Sequence, residues 1–231
     1  MNPDEYRKLS EVEDRMWYFR ALHRHIEIRL EAGLGGAPAR ILDAGCGTGG
    51  LMARLGPGHP MWRWTGVDLS ELACDLARRR LTAPAGVAGA PSTGPRREAS
   101  GPEVCLGSVT RLPYGDASFG AVVSADVLYH VDDDEAALRE FHRVLRPGGI
   151  VVVNVPAYRW LWSYHDEAVH SRRRYGRREV VGKLEAAGFT RVRATYWNTL
   201  AFPLVVVRRK LLPPPPGGSD VHLFPAPVET A

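Results

Sequence analysis

Ile41-Leu42-Asp43-Ala44-Gly45-Cys46-Gly47-Thr48-Gly49-Gly50 decides how the chain of 231 residues is read. The stretch opens as the apolar tail of a buried strand and breaks into a turn with four glycines, Gly45, Gly47, Gly49 and Gly50. Glycine takes positive φ at no steric cost and lets a ligand approach the backbone with no Cβ in the way. Leu51-Met52-Ala53-Arg54-Leu55 then has helical character, so the turn opens onto a helix N-terminus whose free N–H groups favour polar or anionic atoms. Strand, glycine turn and helix together form the ligand-cradling corner of a doubly wound α/β sheet.

Working outward, the string Gly45-x-Gly47-x-x-Gly50 also satisfies the dinucleotide fingerprint. Asp43, at the strand end, separates the two readings. An acid at the mouth of the turn repels a pyrophosphate and suits a cofactor carrying an ammonium and a sulfonium. Asp43-x-Gly45-x-Gly47-x-Gly49 resembles motif I of the class I S-adenosylmethionine (SAM)-dependent methyltransferases.

Arg63 to Asp68 reads as a second strand ending in an acid. Asp68 stands close to the offset of about 20 residues at which a carboxylate meets a ribose diol, and capping of a helix over Ser70–Leu81 is its structural alternative. Residues 82–102 are rich in Ala, Pro, Gly, Ser and Thr without apolar periodicity, which predicts a surface insertion. Glu103–Gly107 is read as a third strand. Ser108-Val109-Thr110-Arg111-Leu112-Pro113-Tyr114, followed by the strand from Ser118 to His130, is similar to motifs II to IV of the methyltransferase type 11 group. Two positions depart from that group: Ser108 stands where an acid usually meets the adenine, and Gly120 replaces a common Asp at the strand start. Asp132-Asp133-Asp134-Glu135 gives the next helix an acidic first turn favourable to its dipole, read as a solvated cap. That helix stops at Arg146-Pro147-Gly148-Gly149, and the β-branched run Ile150–Val155 reads as a buried parallel strand.

The resemblance covers roughly residues 38–155 and implies a Rossmann-like, doubly wound, mostly parallel sheet with an N-terminal helical lid. It implies S-adenosyl-L-methionine as cofactor. Asp43, Gly45, Cys46, Gly47 and Gly49 would hold its amino-acid half, Asp68 the ribose, and Leu69, Ser108 and Val109 the adenine, with Ser124 and Tyr129 lining the transfer site.

The remaining segments are read from their residues. Over 4–31, Val12, Met16, Phe19, Leu22 or His23, Ile26 and Leu30 recur at helical steps. This is either an ordinary amphipathic helix or a lid carrying Trp17, Tyr18 and Arg20 over the cofactor. Residues 158–178 crowd Trp160, Trp162, Tyr164, Tyr175, Arg173, His165 and His170 beyond a strand end, where open α/β sheets bind ligands. A substrate wall is the reading, against a charged surface helix. His165 or His170 is the candidate base, oriented by Asp166, because imidazole titrates near neutral pH. No metal is expected. Phe189–Trp197 is read as a sixth strand, and 204–212 as either a seventh strand or a short basic helix.

The expected organisation is one domain: a lid over 1–37, a SAM-binding core over 38–155, a substrate-side segment over 156–212 and a tail over 213–231. Hydrophobic residues at 45%, charged residues at 24% and a net charge of +4 fit a globular protein and do not require nucleic acid. Three unpaired-looking cysteines, no membrane-length apolar run and no signal-peptide layout predict a cytoplasmic protein. The expected function is methyl transfer from SAM to an O, N or C nucleophile of a small molecule. The expected partner is that acceptor, with no membrane; self-association as a homodimer stays open. The alternatives are a SAM-binding cyclase, an RNA, DNA or peptide methyltransferase, and a nicotinamide oxidoreductase, against which Asp43 argues.

Overall fold

A computed structural model describes residues 3–82, 101–214 and 220. Most of the predicted surface insertion at 82–102, and most of the tail, lie outside the described residues. Two helices, α1 (Pro3–Val12) and α2 (Trp17–Leu34), precede the first strand β1 (Ala39–Ala44). There follow α3 (Gly50–Leu55), β2 (Trp62–Asp68), α4 (Glu71–Thr82), β3 (Glu103–Leu106), β4 (Phe119–Ala125), α5 (Asp134–Val144) and β5 (Leu145–Asn154). After the sheet come α6 (Tyr164–Ala168), α7 (Arg177–Ala186) and α8 (Phe202–Lys210).

The five strands form one sheet in the order β3-β2-β1-β4-β5, every neighbouring pair parallel. The doubly wound α/β reading therefore holds. Strand order reverses between β1 and β4, and a crevice opens at the carboxyl ends of strands where order reverses. The alternation of a strand divides the core between two faces. Leu42 and Val122 point to one side, where they meet Phe141, Leu138 and Val144 of α5. Ile41, Ala121 and Val123 point to the other, against Ile26 and Leu30 of α2 and Met52 of α3. The passage Arg146-Pro147-Gly148-Gly149 lies within β5, where the register against β4 shifts between Phe119 and Ala121.

Two expectations are corrected, and one left open is decided. The single helix predicted over 4–31 is two, broken between Val12 and Trp17 by Met16 in an extended conformation (φ −66°, ψ 123°). Apolar spacing runs across that break undisturbed, so periodicity could not show it. Phe189–Trp197 forms no strand among the described residues. Residues 204–212 fall largely in α8, whose first turn holds Pro203 and whose last turn carries Arg208, Arg209 and Lys210. Proline in a first helical turn loses no hydrogen bond, and basic groups suit the carboxyl end of the dipole. The β-branched run is thereby overridden.

The segment 158–178 folds as structure, not as a bare wall. Asp166 and Arg174 form a buried ion pair: Arg174 Nε donates to Asp166 Oδ1 at 2.7 Å and Nη2 to Oδ2 at 3.0 Å. Arg174 Nη1 also donates to the Ala157 carbonyl at 2.9 Å, fastening the segment to the end of β5. Asp134, expected to be solvated, is buried and accepts from Tyr175 Oη at 2.7 Å and Lys183 Nζ at 2.8 Å. Asp133 alone caps α5, accepting from Ala136 N at 2.8 Å. Breaking one partner of a buried ion pair leaves an uncompensated charge, at a cost of about 3–5 kcal/mol. Asp166→Ala is therefore expected to lower the unfolding free energy by about that amount, measured by urea denaturation; a loss within experimental error would show that Arg174 is solvated in solution.

Candidate functional site

The carboxyl ends of β1, β2, β4 and β5 open into one continuous cleft of about 2480 Å³, roofed on one side by α1 and α2. Its deepest part surrounds the glycine turn. Gly45 and Cys46 donate their N–H groups to the Val67 carbonyl at 2.7 and 3.0 Å, tying the turn to β2. Gly47 adopts φ +51°, and a Cβ built on it would meet nothing within 4 Å, so its backbone faces open space. Asp68 Oδ2 accepts from Gly47 N and Oδ1 from Ser70 N, each at 2.9 Å. The carboxylate thus braces the turn and caps the start of α4, and still has lone pairs directed at the cleft.

Asp43 is buried at the end of β1, and no described residue donates a hydrogen bond to its carboxyl. Burial foremost, then the charges of Glu13 and Asp68, push it up to about 8. Glu13 descends from the break between α1 and α2. It accepts from Thr48 Oγ1 at 2.5 Å and lies 3.5 Å from the Arg80 guanidinium. Three acids therefore ring one glycine turn.

The second half of the cleft lies across β4 and β5. Asp126, just past β4, takes φ +58°, a conformation non-glycine residues rarely occupy and one that clusters at functional sites. Its Oδ2 accepts from Tyr18 Oη at 2.8 Å and its Oδ1 from Asn154 Nδ2 at 2.8 Å. Asn154 Oδ1 in turn accepts from Trp197 Nε1 at 2.8 Å, and the Tyr18 and Trp197 rings lie 5.2 Å apart. Burial raises Asp126 to about 6, against the hydrogen bonds from Tyr18 and Asn154 that hold it down.

The predicted residues divide accordingly. Asp43, Gly45, Cys46, Gly47, Asp68, Leu69, Ser108, Val109 and Tyr129 line the cleft, as do Trp17, Tyr18 and His165. Ser108 Oγ is 2.8 Å from Thr110 Oγ1. Gly49 does not line it: a Cβ there would crowd Ala77 of α4 at 3.1 Å, so its smallness serves helix packing. Ser124 is 0% exposed within β4, its Oγ without a partner, and does not reach the transfer site expected of it. Arg20 is exposed outside the cleft. Tyr175 lines the cleft, but its hydroxyl is committed to Asp134 and the Leu128 carbonyl. Arg173 binds the Asp132 carbonyl and lies 3.4 Å from Asp134. Trp160 is 53% exposed against Phe202, Tyr164 donates to Asp220, and Trp162 stays outside the cleft. Tyr175, Arg173, Trp160 and Tyr164 thus find partners within the segment and its neighbours.

The predicted base residues also part company. Asp166 faces Arg174 and orients neither histidine. His170 is exposed outside the cleft. His165 lines the cleft, its Nδ1 accepting from Asp220 N at 3.1 Å, and burial first, then Arg209, lowers it to about 4. Sequence reasoning missed Glu13, Asp126, Asn154 and Trp197. Asp126 and Asn154 each sit at the end of an apolar run, a signal of the kind that singled out Asp43 and Asp68.

A family model described as a methyltransferase domain matches residues 42–153. The chain is 29% identical over 182 residues to the malonyl-(acyl-carrier protein) O-methyltransferase of Methylococcus capsulatus, a match covering 75% of the chain and 61% of that protein. These matches support a class I SAM-dependent methyltransferase domain over residues 42–153. The chain is also 36% identical over 120 residues to the demethylmenaquinone methyltransferase of Deinococcus radiodurans, covering 52% of the chain and 44% of that protein. The chain spans about half to three-fifths of the length of the first curated relatives it matches. Among solved structures, YcgJ of Bacillus subtilis superposes with a TM-score of 0.63 at 18% identity, over 90% of this chain and 81% of that one. The 4+2 cyclase SpnF superposes with a TM-score of 0.59 at 24% identity, over 75% and 59%. These two likenesses are of fold.

SAM is the cofactor of this methyltransferase family, and the residues present suit it. Asp43 is a buried carboxyl with no donor of its own, open to an ammonium. Gly47 leaves a backbone cradle that a side chain would fill. Asp68 retains acceptor capacity for a diol, and three acids favour a cation over a pyrophosphate. When bound, SAM supplies an activated methyl group.

The raised Asp43 carboxyl has a consequence for stability. The folded chain keeps a proton between the ordinary value of 3.8 and about 8 that the unfolded chain has released. This contribution is therefore full below the ordinary value and lost as pH rises through about 8. Without cofactor, Asp43→Asn is expected to remove that part of the decline and to be more stable than the parent near the upper limit, measured by urea denaturation across pH. The same variant should bind S-adenosylhomocysteine at least about tenfold more weakly by calorimetry, because a hydrogen-bonded charge is worth about 1.5–3 kcal/mol.

Proposed function

We propose that this chain transfers a methyl group from SAM to a small molecule, with an oxygen nucleophile favoured among O, N and C. The observation supporting a small acceptor is the roofing of the second half of the cleft by α2. Tyr18 of α2 bonds to Asp126 across the sheet ends, so the helical roof meets the transfer side at a closed contact. Clefts with mainly apolar walls beneath a roof suit small ligands. Several relatives are named as O-methyltransferases, which favours oxygen.

In-line methyl transfer asks the protein to align the acceptor, exclude water and remove a proton where the acceptor still holds one. We place that last role on Asp126. It lines the cleft, its carboxyl is raised into the range useful to a base, and Tyr18 and Asn154 fix its orientation. His165 is held too acidic for efficient proton abstraction near neutral pH, and His170 lies outside the cleft. Tyr18, Trp17 and Tyr129 would supply the flat walls. SpnF is named a cyclase, but a 24% identity carries its fold alone, so methyl transfer is the reading.

The test is release of S-adenosylhomocysteine from SAM against a panel of phenols, carboxylic acids and amines. Cofactor binding without any release across the panel would favour the non-methylating alternative. With a hydroxyl acceptor, turnover should rise with pH through about 6, since below that value Asp126 holds the proton it must accept. Asp126→Asn is expected to lower kcat by about 10²–10⁴ and abolish that acid limb, leaving S-adenosylhomocysteine affinity within about twofold. His165→Gln and His170→Gln should keep the limb. An Asp126→Asn enzyme with an unaltered pH–rate profile would remove Asp126 from proton transfer.

A further inference from the structure

At the opposite end of the sheet from the cleft, three side chains converge from two elements. Glu27 and Glu31 stand four residues apart on α2, which sets both carboxylates on one face of the helix. His59 lies in the turn before β2, where its N–H donates to the Gly56 carbonyl and its carbonyl accepts from Trp62 N. Its ring stacks on Trp62, with centroids 3.8 Å apart and planes 8° from parallel. His59 Nε2 is 2.8 Å from Glu27 Oε1 and 4.0 Å from Glu31 Oε1, and one ligand atom from each of the three residues lies within 4.8 Å of the others. Arg24 Nη1 holds the other oxygen of Glu27 at 2.7 Å, so the oxygen facing His59 is fixed in direction. An outer partner of that kind orients a metal ligand.

A tetrahedral ion about 2.0–2.1 Å from nitrogen and oxygen donors sets those donors about 3.3 Å apart. The observed separations bracket that value, and Glu31, the most exposed of the three, is free to close the longer one. One imidazole and two carboxylates with a fourth position open to solvent form a donor set suited to Zn²⁺. We propose that Glu27, Glu31 and His59 form a zinc site that fastens α2 to the turn before β2. The residues lie outside the cofactor cleft, so the site is independent of the functional reading.

The test is calorimetric titration of the chelator-treated full-length chain with zinc chloride, with cobalt(II) absorption as a second probe. One equivalent of zinc is expected to bind and to raise the melting temperature. Glu31→Gln and His59→Gln should each weaken binding at least about tenfold. Their S-adenosylhomocysteine affinity and their melting temperature in chelator should stay close to the parent's, Glu31→Gln serving as the conservative variant should His59→Gln unfold. The cobalt form should show the visible bands of a tetrahedral nitrogen–oxygen site without thiolate charge transfer. Absence of zinc binding, equal binding by both variants, or a thiolate band from Cys46, Cys74 or Cys105 would each overturn the assignment.

Discussion

Asp68 joins three pieces of backbone that the sheet alone would leave loose. Its carboxylate accepts from Gly47 and from Ser70, so the end of β2, the glycine turn after β1 and the start of α4 share one pair of charge-assisted bonds. Such bonds are roughly twice as strong as neutral ones. A turn rich in glycine loses much conformational freedom on folding, and this anchor offsets part of that loss. The cost is a carboxylate kept in a buried place, its proton affinity raised despite the two donors. Structural bracing and spare acceptor capacity meet in one side chain.

Once Asp68 is fixed, the remaining acids follow a pattern. Glu13 reaches the same turn from above through Thr48 and is offset by Arg80, which also holds Asp14 and the Ser10 carbonyl. Arg80 therefore couples α1 to α4 and offsets the charge of Glu13 beside the glycine turn. Among the described residues Asp43 has no such counterion. Of the three acids it alone has neither a cation nor a donor, and it is the one at the mouth of the turn. The imbalance suits a site whose missing cation is a ligand.

Local signals carried much of this architecture. The β1, β2, β4 and β5 runs are apolar or β-branched and bounded by glycine or acid, so their strands and the doubly wound sheet were legible before any contact was known. The corner of acids and glycines at the sheet's carboxyl edge was legible for the same reason, because Asp43, Gly45, Gly47 and Asp68 lie in sequence next to the strands that place them. Illegible were the groups defined by distant partners. Tyr18 and Asp126 are 108 residues apart, and nothing near Asp126 announces its positive φ. The break between α1 and α2 interrupts no apolar period. The aromatic and histidine density of 158–178 pointed towards a ligand, but most of those groups found partners inside the protein. Buried polar side chains must be satisfied, and a sequence does not say by whom.

The helical roof then emerges as part of the site, not an appendage. Two of its contacts fall on opposite halves of the cleft: Glu13 on the glycine turn and Tyr18 on Asp126. The break at residues 13–16 makes both possible, since a continuous helix would hold the two side chains in one fixed rotation. Each contact involves an acid whose protonation is raised by burial. Positive charge at the turn favours the ionised form of Glu13, the acid through which the roof reaches it.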